Sequence, residues 1–99
     1  MQLARTSSTE LTITGNIKTM ADYLAIRKQV TDLVEAGATS LTLHIRESFS
    51  MPSSVIGFFV KLINRDKIKV AMLIQDPRLL ELLDELNLTG LFGARPLEK

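Results

Sequence analysis

The amino-acid sequence predicts an α/β fold: one domain in which a mixed β-sheet of about four strands carries three to four helices. Three observations lead there. Apolar residues recur with strand spacing in some segments and with helix spacing in others, and the two kinds alternate along the chain. The breaks between them hold strong punctuation, Gly37 and Asp76-Pro77 above all. The 99 residues are 45% apolar and 23% charged, which suits one core and is too short for two. Strands that alternate with helices imply parallel crossovers.

Residues 2–6 are expected to form a short edge strand, followed by a polar turn at Thr6-Ser7-Ser8-Thr9. Leu11, Ile13 and Ile17 alternate with Thr12, Thr14 and Asn16, the pattern of a half-buried strand. Gly15 within it marks a bulge or a close backbone approach. Over residues 20–36, Met20, Tyr23, Leu24, Val30, Leu33 and Val34 fall at helical spacing, with Arg27, Lys28, Asp32 and Glu35 on the other side. Gly37 stands where a left-handed helix stop belongs. Leu41, Leu43 and Ile45 alternate with Thr42, His44 and Arg46 as a second strand, and residues 47–50 form a loop.

Residues 53–65 read as a second helix. Val55, Ile56, Phe59, Leu62 and Ile63 share its central apolar sector, Phe58 and Val60 lie at the two edges, and Gly57, Lys61, Asn64 and Arg65 form the opposite face. That sector is wider than a surface helix needs, so its rim is either covered by loops or left for a partner. Residues 69–74 are a nearly continuous apolar strand. Asp76-Pro77 then opens a third helix, because aspartate caps and proline fits the first helical position. Leu79, Leu80, Leu82, Leu83 and Leu86 give that helix its buried side, Asn87 ends it, and residues 88–92 pack back as a turn or short helix. The domain core is expected over residues 9–92, with residues 93–99 as a flexible tail.

Composition narrows the function. A formal net charge of +1 with one tyrosine and no tryptophan argues against a nucleic-acid binder. The absence of cysteine removes disulfides and thiolate metal sites. Apolar runs are too short for membrane insertion and residues 1–20 lack the pattern of a signal peptide, so a cytoplasmic location is expected. No cofactor or metal is expected: the five glycines form no phosphate-binding fingerprint, and Glu81, Asp84 and Glu85 look like the solvated side of a helix. His44, the single histidine, has no serine–carboxylate set arranged around it in sequence, so no enzyme activity is expected. Lys61, Arg65, Lys67 and Lys69 form a short basic cluster suited to an acidic partner or a phosphate.

Ser53 and Ser54 follow Met51-Pro52 at the start of the second helix. A serine there can cap orphan backbone N–H groups. The same place stabilises a phosphate, since those N–H groups and the helix dipole favour negative charge. Both readings stand on the residues alone.

From about residue 9 to residue 92 the sequence resembles the STAS domain, the fold of bacterial anti-sigma-factor antagonists. Three segments carry the likeness in the family's order: Leu11-Thr12-Ile13-Thr14-Gly15-Asn16-Ile17, Phe49-Ser50-Met51-Pro52-Ser53-Ser54-Val55-Ile56-Gly57, and Leu86-Asn87-Leu88-Thr89-Gly90-Leu91-Phe92. The resemblance implies partner switching: the domain binds an anti-sigma factor that is also a serine kinase, and phosphorylation of the matching serine, Ser53 with Ser54 beside it, breaks the complex. The sequence departs from the family's pattern in having Pro52 and Lys18 where aspartates are usual, and Val55 where glycine is common. Partner contacts are accordingly expected at Lys18, Pro52, Ser53, Ser54 and Gly57, and along the helix rim at Phe58, Val60 and Lys61. The competing reading is a constitutive scaffold or accessory subunit of a transporter or signalling assembly, with no serine switch.

Overall fold

The computed structural model describes residues 1–97. Its elements are β1 (Gln2–Arg5), β2 (Glu10–Thr14), α1 (Met20–Glu35), β3 (Ser40–Arg46), α2 (Ser53–Asn64), β4 (Lys69–Ile74), α3 (Pro77–Glu85), α4 (Thr89–Phe92) and β5 (Ala94–Pro96). They build a mixed α/β structure, with five strands in the spatial order β1-β2-β3-β4-β5. β1 runs antiparallel to β2, and all later pairs are parallel.

Each crossover from β2 to β5 steps one place in the same direction, so right-handed connections set every helix on one face of the sheet. Burial agrees with that arrangement. Leu11, Ile13, Leu41, Leu43, Ile45, Met72 and Ile74 are buried beneath the helices, and Thr12, Thr42, His44, Ala71 and Leu73 alternate with them on the half-exposed side. The helices close the core with Ile26, Val30 and Leu33 from α1, Val55, Phe59 and Leu62 from α2, Leu79 and Leu83 from α3, and Phe92 from α4.

Three expectations change. Met20 and Leu24 of α1 and Leu86 at the end of α3, expected on the apolar sides of their helices, are exposed, because they stand at the helix end or turned away from the sheet. β2 ends at Thr14, and Ile17 is buried from the following loop instead of from the strand. The break is Gly15, whose φ of +97° suits glycine, and a Cβ there would lie 3.1 Å from the Cα of Met1. The expected tail beyond residue 92 is also partly ordered. Gly93 takes φ +56° and brings the chain so close to β4 that a Cβ would stand 2.8 Å from the Val70 carbonyl. Residues 94–96 then pair with β4 as β5, which makes five strands where about four were expected. Residues 98 and 99 lie outside the described residues.

Candidate functional site

Because β2, β3 and β4 are parallel, the loops that leave them and the first turns of α1, α2 and α3 gather at one end of the sheet. Side chains tie these loops together. Ser48, fully buried, accepts a hydrogen bond from the Ile17 N–H at 3.2 Å and donates to the Ser50 carbonyl at 2.8 Å. Asn16 Oδ1 accepts the Phe49 N–H at 3.2 Å, and Gln75 Oε1 accepts the N–H of Glu47 at 2.9 Å. Glu47 holds φ +63° in this lacing.

The three helix starts differ. Thr19 and Asp22 form a reciprocal capping box on α1, and the N–H groups of Lys18 and Thr19 hold the Asp22 carboxyl below its ordinary range. Asp76 caps α3 through the Arg78 N–H, and its close pairing with the Arg78 guanidinium at 2.8 Å likewise holds its carboxyl below the ordinary pKa range. On α2 the cap position falls on Pro52, which has no side-chain acceptor, and only its carbonyl engages, taking the N–H groups of Val55 and Ile56 at 3.0 Å. Ser53 and Ser54 are therefore the first two helical residues, not the cap. Both are exposed, and among the described residues neither hydroxyl makes a hydrogen bond. The cap position open to these serines in the sequence falls on Pro52 in the structure, and among the described residues no side chain caps α2.

Between α1 and α2 runs an open groove of about 590 Å³. Ser53, Ser54, Gly57, Phe58 and Lys61 line it from α2, and Tyr23 and Arg27 face them from α1. Phe58 is half-buried, edge-on to Tyr23 at 6.4 Å and tilted against Phe59 at 5.3 Å, so it is a wall of the groove more than a free rim. The structure thus brings together five of the eight expected contact residues. Lys18 is exposed at the loop end and Pro52 begins the helix, but neither lines the groove. Val60 is separated from Phe58 by about 160° around α2, at about 100° per residue. It sits half-buried on the far rim with Ile56 and Ile63, so Phe58, Val60 and Lys61 do not form one surface.

Two features of this end were missed in the sequence. Phe49 is 44% exposed, with the Arg78 guanidinium 4.7 Å over its ring. A lone aromatic in a polar loop was its only signal. Ser48 carried none, because nothing local distinguishes a buried loop serine from an exposed one. His44 lies on the half-exposed face of the sheet, where Nε2 is 2.8 Å from Glu10 Oε1. Glu81, Asp84 and Glu85 are exposed on α3, and among the described residues no three acidic or histidine side chains converge as metal ligands. Among the described residues no helix is long and apolar enough to cross a membrane. No protein-family model, curated protein or solved structure matches the chain.

Proposed function

We propose that this chain is a STAS-type regulatory domain that acts by binding a partner protein, with the serine pair at the start of α2 as its switch. The observation that carries the reading is the pair itself: two exposed, unbonded hydroxyls on the one long helix at this end whose N-terminus has no side-chain cap. Such hydroxyls are accessible to a kinase, and the uncapped N–H groups beside them favour the charge that results. Transfer would form a bond between a serine Oγ and the γ-phosphorus of ATP, break the bond to ADP, and pass the hydroxyl proton to a base on the kinase.

The product carries about −1.5 to −2 charges at the mouth of the groove. A partner seated over Phe58 and Tyr23 would meet a hydrated anion in place of two neutral hydroxyls, which weakens the contact through desolvation. Pro52 supplies no carboxylate to that loop, and Lys18 puts an ammonium on the adjoining loop, which the Ile17 N–H ties to Ser48 at 3.2 Å. The partner class best suited to this scheme is a serine-kinase-type anti-sigma factor.

The test is to isolate the chain from its own cell with whatever it binds, and to map phosphate by mass spectrometry. A phosphoryl group on the serine pair, and a co-purifying kinase whose binding is lost in the phosphorylated fraction, are expected. A stable complex indifferent to Ser53→Ala and Ser54→Ala would transfer the assignment to a scaffold without a switch.

A further inference from the structure

The groove between α1 and α2 has a charge pattern that the partner-switching scheme does not use. Both helices follow parallel strands, so they run in the same direction and their first turns lie at the same end of the groove. Its serine end is lined by Ser53, Ser54, Tyr23 and Gly57, with Arg27 and Lys61 one to two turns further on. Side chains of a helix lean toward its N-terminus. Arg27 and Lys61 therefore both lean toward the serines, from opposite walls. Among the described residues neither cation is in an ion pair.

The carboxylates of the groove stand at its other end. Glu35 is eight residues beyond Arg27, about 12 Å along the helix axis. Asp66 lies past the end of α2 and is paired with Arg65 at 3.2 Å. Beside the Tyr23 and Phe58 rings, the charged groups lining the serine half of the groove are thus cations only, among the described residues. Gly57 adds room: a Cβ built on it would meet nothing within 4 Å, so the wall between the serines and Lys61 is notched. The two serines do not share this position equally. Ser54 is on the same helical stripe as Phe58, Lys61 and Arg65, which all face α1, and Ser53 is turned about 100° toward solvent.

We infer that this groove is an intramolecular receiver for a phosphoryl group on Ser54: the phosphate folds over Gly57 and is held between Arg27 and Lys61. The inference rests on the serine pair being a modification site, and it adds what the modification does to the domain itself. A phosphate on Ser54 fills the groove and closes it. A phosphate on Ser53 points outward and leaves the groove open. The two serines would then give different outputs from the same chemistry.

The test uses the full chain with phosphoserine encoded during translation at position 54 or at position 53, so it needs neither the kinase nor the partner. The probe is the covalent phosphate, followed by ³¹P NMR across its second ionisation. With phosphate on Ser54, the midpoint is expected about half to one pH unit below that of the same chain unfolded in urea, because nearby cations favour the dianion. Arg27→Gln and Lys61→Gln should each return part of that shift, and Gly57→Leu, which fills the notch, should return most of it. Phosphate on Ser53, turned about 100° away from the stripe of Lys61, should show a smaller displacement that Arg27→Gln and Lys61→Gln alter less. Equal midpoints for the folded and unfolded Ser54 phosphoprotein, or a shift that survives all three substitutions, would overturn the receiver. That result would leave kinase-driven switching untouched, and a missing kinase would not alter the NMR outcome.

Discussion

Ser48→Ala removes one oxygen atom and is expected to loosen two loops at once. The Ser48 hydroxyl is fully buried and makes two backbone hydrogen bonds, from the Ile17 N–H and to the Ser50 carbonyl. Alanine fits the same space and leaves both groups unpaired. A buried donor without a partner costs about 1–3 kcal/mol, and the partly buried carbonyl adds about 0.5–1 kcal/mol. The sum, about 1.5–4 kcal/mol, is a large share of the roughly 5–15 kcal/mol typical of a domain. At about 4–8 °C per kcal/mol for a chain of this length, the melting temperature should fall by roughly 6–30 °C. Urea denaturation followed by circular dichroism gives the free energy, and amide exchange at Ile17 locates the damage. Ser50→Ala is the control, because Ser50 contributes only its carbonyl to this lacing. A loss below about 0.5 kcal/mol, with Ile17 exchange unchanged, would show that water replaces the hydroxyl and that the loops are not held together by Ser48.

Three further outcomes are expected. Gly93→Ala should destabilise the domain by more than about 2 kcal/mol, since it combines a left-handed backbone with a Cβ 2.8 Å from the Val70 carbonyl; chemical denaturation with no change would place the chain elsewhere after α4. Phe58→Ala should cost about 1–2 kcal/mol, less than the loss of a fully buried ring, and should weaken the partner complex by more than that stability loss explains; an affinity that tracks the melting temperature alone would make Phe58 purely a core residue. Asp22 and Asp76 both have pKa values lowered in the folded state. Their contribution is therefore complete above the unfolded value of about 3.9 and is lost as pH falls through the lower folded values. Acid titration of Asp22→Asn and Asp76→Asn should accordingly give shallower stability losses below about pH 4, and slopes identical to the parent would contradict the assignment.

The elements legible in the sequence were those whose signals are local. β4 occupies residues 69–74 as its apolar run indicates, and α3 begins at the Asp76-Pro77 pair because a cap and a preset φ act within one turn. β5 was not legible: Ala94, Arg95 and Pro96 carry no alternation, and their strand conformation depends on pairing with Met72, Leu73 and Ile74, more than twenty positions back. The candidate site was legible in part for a related reason. Helical spacing gave the angular positions of Phe58, Val60 and Lys61, but not which neighbour stands against each side of α2. α1 takes the side of Phe58 and Lys61, and Val60 faces away from it. Likewise the serine pair was visible as a helix start, whereas its freedom from hydrogen bonds depends on the register that puts Pro52 in the cap position.

The strand order has a practical consequence for handling this molecule. β1 is antiparallel, so Gln2 lies opposite Thr14 at the end of β2, and β5 is parallel, so Pro96 lies opposite Ile74 at the end of β4. Residues 2 and 96 therefore both lie at the end of the sheet that presents Ser53 and Ser54. They are on opposite edges, four strand spacings or about 19 Å apart. An affinity tag, a fluorophore or a fused protein attached next to residue 2 or residue 96 would stand at the same end of the sheet as the serines and would crowd a docking partner. Labels placed in the turn at Ser7 and Ser8 or at Gly37, on the opposite end of the strands, would leave that approach clear.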